Sequence, residues 1–332
     1  MLESGETFNA EPGLRWDYFG HWGTGHQGVI PFPIFTPGAG ATFAQQVATG
    51  VMRVRGDGYF AVNTPNGWAP RIGAAWDVFG NGSTSVRVAY GIFYSRVANL
   101  AYGTNGANTN PPAFGSPSLN IQQPGVKFGY FLGSSGGYYF APPPGFTFQT
   151  NAAGGIVGSR VSVGGMDPYP KQPTTSDWTF SIQRRIGGNF VIEADYLGTH
   201  STHLYTQTDV NRYAGNLLAT NGSLTRLNPN FGPIIFGQTI GSSKANIVSF
   251  SVGRRFARGW SYRAIFTAGR ALDADSSNDN GVPNGRNIVD VANINGQWGR
   301  ADYDVNKRLA IDGVWELPVP FRAVLLKNTL GG

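Results

Sequence analysis

The stretch "PRIGAAWDVFGNGSTSVRVAYGIFYSR", Pro70 to Arg96, consists of two alternating runs joined by a tight Gly/Asn turn. Side chains on a strand point alternately to opposite faces, so a period of two sorts residues by environment. Ile72, Ala74, Trp76 and Val78 share one face of the first run, and Arg71, Gly73, Ala75 and Asp77 the other. The second run sets Val86, Val88, Tyr90, Ile92 and Tyr94 against Ser85, Arg87, Ala89, Gly91, Phe93 and Ser95. The pattern predicts a hairpin with one apolar face. Alternation alone does not say whether that face meets a soluble core or lipid.

The pattern recurs. In "SDWTFSIQRRIGGNFVIEADYLGTHSTHLY", Trp178, Phe180 and Ile182 oppose Thr179, Ser181 and Gln183, and after a turn at Gly187-Gly188-Asn189 the residues Phe190, Ile192, Ala194 and Tyr196 oppose Glu193 and Asp195. Val248, Phe250 and Val252 oppose Ser249, Ser251 and Gly253; beyond a turn near Ala257 to Gly259, Trp260, Tyr262, Ala264, Phe266 and Ala268 oppose Ser261, Arg263, Ile265 and Thr267. A last run, "KRLAIDGVWELP", separates Leu309, Ile311, Gly313, Trp315 and Leu317 from Arg308, Ala310, Asp312, Val314 and Glu316. With "GLRWDYF" near the start this makes about eight strands of roughly ten residues, the length a tilted strand needs to cross a bilayer.

Connection lengths alternate too. Short turns follow Phe79, Ile186 and Phe256, and long Gly/Pro/Asn-rich stretches fill about 20–67, 97–174, 206–245 and 271–305. Loops of that length are uncommon in soluble domains. Outer-membrane barrels pair short periplasmic turns with long extracellular loops. Trp76, Trp260 and Trp315 fall near the turn end and Tyr94, Trp178 and Tyr196 near the loop end, as two aromatic girdles would. Arg184 and Arg254 break the apolar face close to a turn, where a lipid-facing arginine costs only about 0–1 kcal/mol.

Composition agrees. Of 332 residues, 48 are Gly and 21 Pro, aromatics make up 13% and charged residues only 13%, about half the share of a soluble domain. Cysteine is absent, which excludes disulfides and thiolate chemistry. The net charge of +6 is scattered along the chain, and neither a basic stripe nor a nucleic-acid module is present. No run reaches the roughly 18 apolar residues of a spanning helix, so membrane residence requires strands. The start, "MLESGETFNAEPGLRWDYFG", is not a signal peptide, so the protein is expected to be either cytosolic or lacking its beginning here.

The expected fold is an all-β, antiparallel transmembrane barrel segment with long extracellular loops. Its polar faces put Arg71, Asp77, Arg87, Gln183, Glu193, Asp195, Arg263, Asp312 and Glu316 towards a wet interior, as candidate ligand-binding residues beside Thr179 and Ser181. The arginines hint at anionic or peptide-like cargo, with interspersed acids against it. No cofactor and no catalytic residue is expected. Glu193 and Asp195 could imitate a hydrolase pair, but adjacent lumen charges explain them more simply. His200 and His203, with His21 and His26 the only other histidines, lack a third placed metal ligand. "LDADSSNDNGVPNG" offers Asp273 and Asp275 to calcium but puts Asn278 and Asn284 where an EF-hand needs Gly and Glu.

The hairpin from Pro70, the segment from Asp177, and the pair "SYRAIFTAGRALDADSS" and "GRADYDVNKRLAIDGVWELP" resemble the barrel of Oar-like TonB-dependent transporters, from about Leu14 to the end. The resemblance implies a barrel of about 22 strands in the Gram-negative outer membrane, a plug, an N-terminal carboxypeptidase-regulatory-like domain and energy from the TonB complex. No plug, TonB-box segment or carboxypeptidase-regulatory-like domain is read in residues 1–332, so the whole chain is expected to be part of the barrel domain. Outer-membrane lipid and, through a plug outside this chain, TonB are the partners implied. Two alternatives remain at this point: a stand-alone eight-stranded adhesin or structural barrel, and a secreted carbohydrate-binding β-sandwich.

Overall fold

The computed structural model describes residues 7–18, 32–55, 67–96, 110, 149–214, 225–276 and 291–316. In chain order their strands are β1 (Phe8–Trp16), β2 (Phe32–Thr36), β3 (Val51–Arg55), β4 (Trp68–Asp77), β5 (Thr84–Tyr94), β6 (Val163–Met166) and β7 (Thr174–Ile186). There follow β8 (Phe190–Asp209), β9 (Tyr213–Ala214), β10 (Thr225–Arg226), β11 (Ile234–Ala257), β12 (Trp260–Asp273), β13 (Gly299–Arg300) and β14 (Lys307–Trp315). One α-helix, α1 (Phe43–Ala48), lies between β2 and β3, and a 3₁₀ segment, Val291–Gln297, precedes β13.

Eight strands form an antiparallel meander in the order β1, β4, β5, β7, β8, β11, β12, β14, here called the wall. Its turns are short because the sequence supplies residues that accept a positive φ. Gly80 and Gly82 lie in the β4–β5 connection and Gly187 in the β7–β8 turn, and Arg258 (φ 54) and Gly259 (φ 83) make the two-residue β11–β12 turn. Positive φ at both central residues is the type I′ geometry that matches strand twist.

Register keeps the two faces of the wall apart up to a bulge in β11 between Arg254 and Ala257, beside the β11–β12 turn. Across the sheet Val86, Ile182, Ala194, Phe250, Phe266 and Leu309 align on one face. Ser85, Gln183, Glu193 and Ser251 align on the other. Among the described residues no second sheet covers the apolar face: Trp76 is 46% exposed, Phe250 56% and Trp315 67%. This overturns the sandwich alternative, in which those rings would be buried. The described sheet is also open, since β1 pairs only with β4 and β14 only with β12, and closure as an eight-stranded barrel is therefore not observed.

Two further expectations need correction. The first strand is Phe8–Trp16 rather than Gly13–Phe19, with Phe8 opposite Trp76 and Trp16 opposite Trp68. The long connections are not featureless either. β8 and β11, 20 and 24 residues long, run on beyond the membrane, and their far ends join β6, β2 and β3 in a folded outer lobe. Phe35, Val47, Val163, Val210, Phe231, Ile234 and Phe236 form its dry core, with Phe231 and Phe236 edge-on to Phe35. The helix starts with a capping box made by Thr42 and Gln45, which satisfies backbone donors that the first turn leaves unpaired.

Buried asparagines hold the lobe's loops. Asn228 Nδ2 donates to the Val47 and Gly50 carbonyls at 3.0 and 2.9 Å, tying the end of α1 to the β10–β11 connection. Asn211 Nδ2 donates to the Asn228, Phe231 and Gly232 carbonyls, and its Oδ1 accepts from Asn228 N. Asn110 bridges the Pro33 and Gly164 carbonyls. Loop backbone this deep must find such partners, because an unpaired buried amide or carbonyl is costly.

Candidate ligand-facing wall

The polar face holds all nine candidate residues, but they do not converge. Arg87, Glu193 and Asp195 line a concavity of about 660 Å³ together with Asn9, Glu11, Thr179 and Ser181, over a floor that includes Gly73, Ala75 and Ala89. Arg87 is in register with Ser181, and Ser181 with Asp195, while Ser181 Oγ donates to Glu193 Oε1 at 3.5 Å. Asn9 Nδ2 donates to Glu11 Oε1 at 3.2 Å. The small floor residues let a solute approach the backbone. Three carboxylates against one guanidinium make the concavity acidic, so arginine does not set its charge.

The other candidates lie apart from it. Gln183 sits beside Glu193 in register. The Arg71 guanidinium packs 4.5 Å from the centre of the Phe93 ring, on the loop side. Asp77 accepts a hydrogen bond from Gly82 N at 2.6 Å and so orders the β4–β5 turn. Arg263 faces Asp312 across the β12–β14 pair. Glu316 N donates to the Gly259 carbonyl, next to the β11–β12 turn. Glu11 and Asn9 escaped sequence reading because the first strand was placed too late; the alternation Phe8, Ala10, Pro12, Leu14, Trp16 against Asn9, Glu11, Gly13, Arg15 carries the signal.

The opposite face is built for hydrocarbon with polar rims. Towards the loops, Trp178 Nε1 donates to the Tyr196 hydroxyl (3.4 Å), which donates to Asn246 Oδ1 (2.7 Å) across three strands. Gly198 makes room for this, since a Cβ there would run into the Trp178 indole. Towards the turns, Trp260 stands opposite Trp315 and stacks on Tyr262. Arg254 lies over Trp260 at 3.7 Å. Amphipathic rings at both rims fit a membrane interface, where one end of each ring is wet.

Of the other sequence candidates, His200 and His203 lie on β8, and no group of three or more metal-ligating side chains occurs among the described residues. Burial, and then the charge of Lys171, lower the pKa of His203, which adopts φ 57 outside the membrane-crossing part of β8. His21 and His26 lie outside the described residues. So does most of the proposed calcium loop; of its ligands, Asp273 is buried and accepts from Ser276 Oγ at 2.7 Å.

One sheet with a lipid-facing flank, two aromatic rims, short turns at one end and a water-facing polar flank defines the wall of a transmembrane β-barrel. The chain belongs to the outer membrane beta barrel domain family, whose model matches residues 6–332, and its place is the Gram-negative outer membrane. No curated protein matches it in sequence. Among solved structures it is similar to the outer membrane transporter YddB from Escherichia coli, with 11% identity and a TM-score of 0.41 over 80% of this chain and 28% of that one. The siderophore receptor PirA from Pseudomonas aeruginosa aligns at 11% identity and a TM-score of 0.32, over 68% of this chain and 31% of that one. The FrpB iron transporter from Neisseria meningitidis (F3-3 variant) aligns at 8% and 0.29, over 67% and 20%. The chain thus spans less than a third of each of these proteins.

Proposed function

We propose that the chain is part of the barrel of an Oar-like TonB-dependent transporter, and that its polar face forms one side of the path along which a ligand is taken up. The acidic concavity around Arg87, Glu193 and Asp195 is the observation that carries this reading, because a structural wall has no need of charged side chains gathered over a floor of glycine and alanine. The open edges at β1 and β14 support it as well. A membrane-spanning sheet must close to satisfy its backbone, so further strands would complete a wider barrel with room for a plug. On this reading ligand is captured by the outer lobe and loops, TonB rearranges the plug, and the solute passes along the polar face without any bond being made or broken. The excess of carboxylates favours a solute that carries cationic or hydrogen-bond-donating groups.

The test is made in the source bacterium with the native gene product. Depletion of solutes from a defined peptide and siderophore medium is compared between wild type and a deletion strain, with and without an uncoupler. The expected result is at least one solute whose depletion needs both the protein and the proton-motive force, and is slowed by Arg87→Ala combined with Glu193→Gln. Depletion profiles identical in wild type and deletion strain, or indifferent to the uncoupler, would overturn the proposal.

A further inference from the structure

On the lipid face two adjacent rows cross the wall near the short turns. One runs Ile182, Ala194, Phe250, Phe266; the next, a step closer to the turns, runs Arg184, Ile192, Val252, Ala264. The small side chains of Ala194 and Ala264 between these larger neighbours leave a furrow of about 540 Å³ lined almost wholly by carbon, with Arg184 as the cation on its wall. Arg254 lies one row further towards the turns, two strands from Arg184, with Phe190 and Ile192 of β8 between them.

Both guanidiniums are held towards the rim. Arg184 leans over the Phe79 ring at 5.7 Å, and Arg254 is fixed on Trp260 by stacking and by a 3.0 Å hydrogen bond from Nη1 to the Trp260 carbonyl. Neither forms an ion pair with a described carboxylate. The wall strands place no carboxylate on this face, because Asp77, Glu193, Asp195 and Asp312 all fall on the other. Short turns are periplasmic in outer-membrane barrels, so these two cations lie at the headgroup depth of the inner leaflet, with the apolar furrow reaching from them towards mid-membrane.

We propose that this furrow and the Arg184–Arg254 pair form a binding site for one anionic phospholipid of the periplasmic leaflet. An acyl chain would lie over Ala194 and Ala264, and the phosphate would sit over Phe190 beside the Arg254 guanidinium, 5.9 Å from that ring, with Arg184 swinging from Phe79 to meet it. A planar guanidinium offers a paired donor fork to phosphate oxygens, and fixing Arg254 on Trp260 removes part of the ordering cost before the lipid arrives. The inference requires only that the wall spans the membrane and does not depend on uptake.

The test uses the native gene product reconstituted in vesicles of equal parts phosphatidylglycerol and phosphatidylcholine, then extracted gently and weighed with its retained lipid by native mass spectrometry. Wild-type protein is expected to retain phosphatidylglycerol preferentially, by roughly fivefold for each arginine engaged. R184Q/R254Q should lose that preference and R184K/R254K should keep most of it. A264F, which fills the furrow and leaves both arginines in place, should lose the retained lipid. A second cationic rim exists at the loop end, where Lys244, Arg270 and Lys307 share the same face; K244Q/R270Q/K307Q is therefore the comparison and should retain phosphatidylglycerol as wild type does. Equal retention of both lipids by wild type, a preference that survives R184Q/R254Q, one lost in K244Q/R270Q/K307Q instead, or lipid retained by A264F would each overturn the proposal. Circular dichroism and heat-modifiable gel mobility establish that each variant is folded.

Discussion

The wall and the outer lobe obey opposite rules with the same kinds of side chain. In the wall the largest apolar groups are the most exposed and the polar groups face inward, so that stability depends on lipid and on the hydrogen-bonded ladder. In the lobe Phe35, Phe231 and Ile234 are fully buried, and stability rests on a small hydrophobic core and on asparagines that satisfy loop backbone. The two regions share strands β8 and β11. The solvent around each stretch, rather than the strand itself, decides which face turns apolar.

The sharpest way to break this contrast is to truncate a core ring of the lobe. Phe231→Ala should cost the lobe about 3–5 kcal/mol, seen as faster hydrogen exchange in β2, β3 and β6 while the lower halves of β7 and β8 keep their protection. Exchange that accelerates equally in both regions would mean that they are one cooperative unit. A charge placed in the wall should depend on parity alone. Phe250→Arg should destabilise folding into vesicles by about 2–4 kcal/mol, whereas Ser251→Arg, one residue on and facing water, should change it little; comparable losses in a urea titration would show that the two faces are not what the exposures indicate. The smallest effect belongs to the junction. His203 has its pKa lowered by burial and by Lys171, so the unfolded chain binds the proton more readily and the histidine's penalty appears as pH falls below about 6.5. The protection of amides around Thr202 to Thr206, taken relative to their intrinsic exchange rate at each pH, should fall between about pH 7 and pH 5 in the wild type, and much less in His203→Gln.

Most of the wall was legible because lipid and water enforce period two across the middle of each strand, with the cations of the lipid face, Arg184, Arg254, Lys244, Arg270 and Lys307, confined to its rims. The three turns were legible because each carries glycine where φ is positive, at Gly80 and Gly82, Gly187 and Gly259. β1 was misplaced because Pro12 and Glu11 interrupt what reads as an apolar run, although both fit the alternation once Phe8 is taken as the start. The lobe was not legible at all. Its core comes from residues far apart in the chain, such as Val47 and Phe231, and its asparagines look like loop residues until the carbonyls they bind are seen. The concavity was half visible for the same reason: Arg87, Glu193 and Asp195 could be assigned a face, but only the β1–β4 register brings Glu11 and Asn9 to their neighbourhood.

β11 runs 24 residues from the periplasmic turn to the heart of the lobe, about 80 Å if fully extended. A grip on the lobe is therefore a grip on a mast stepped in the bilayer, and a tug at the cell exterior would travel down the same backbone to the Arg258–Gly259 turn. The place where such a mast can yield is the register shift between Gln238 and Ser242, beside Leu204 and the strained His203.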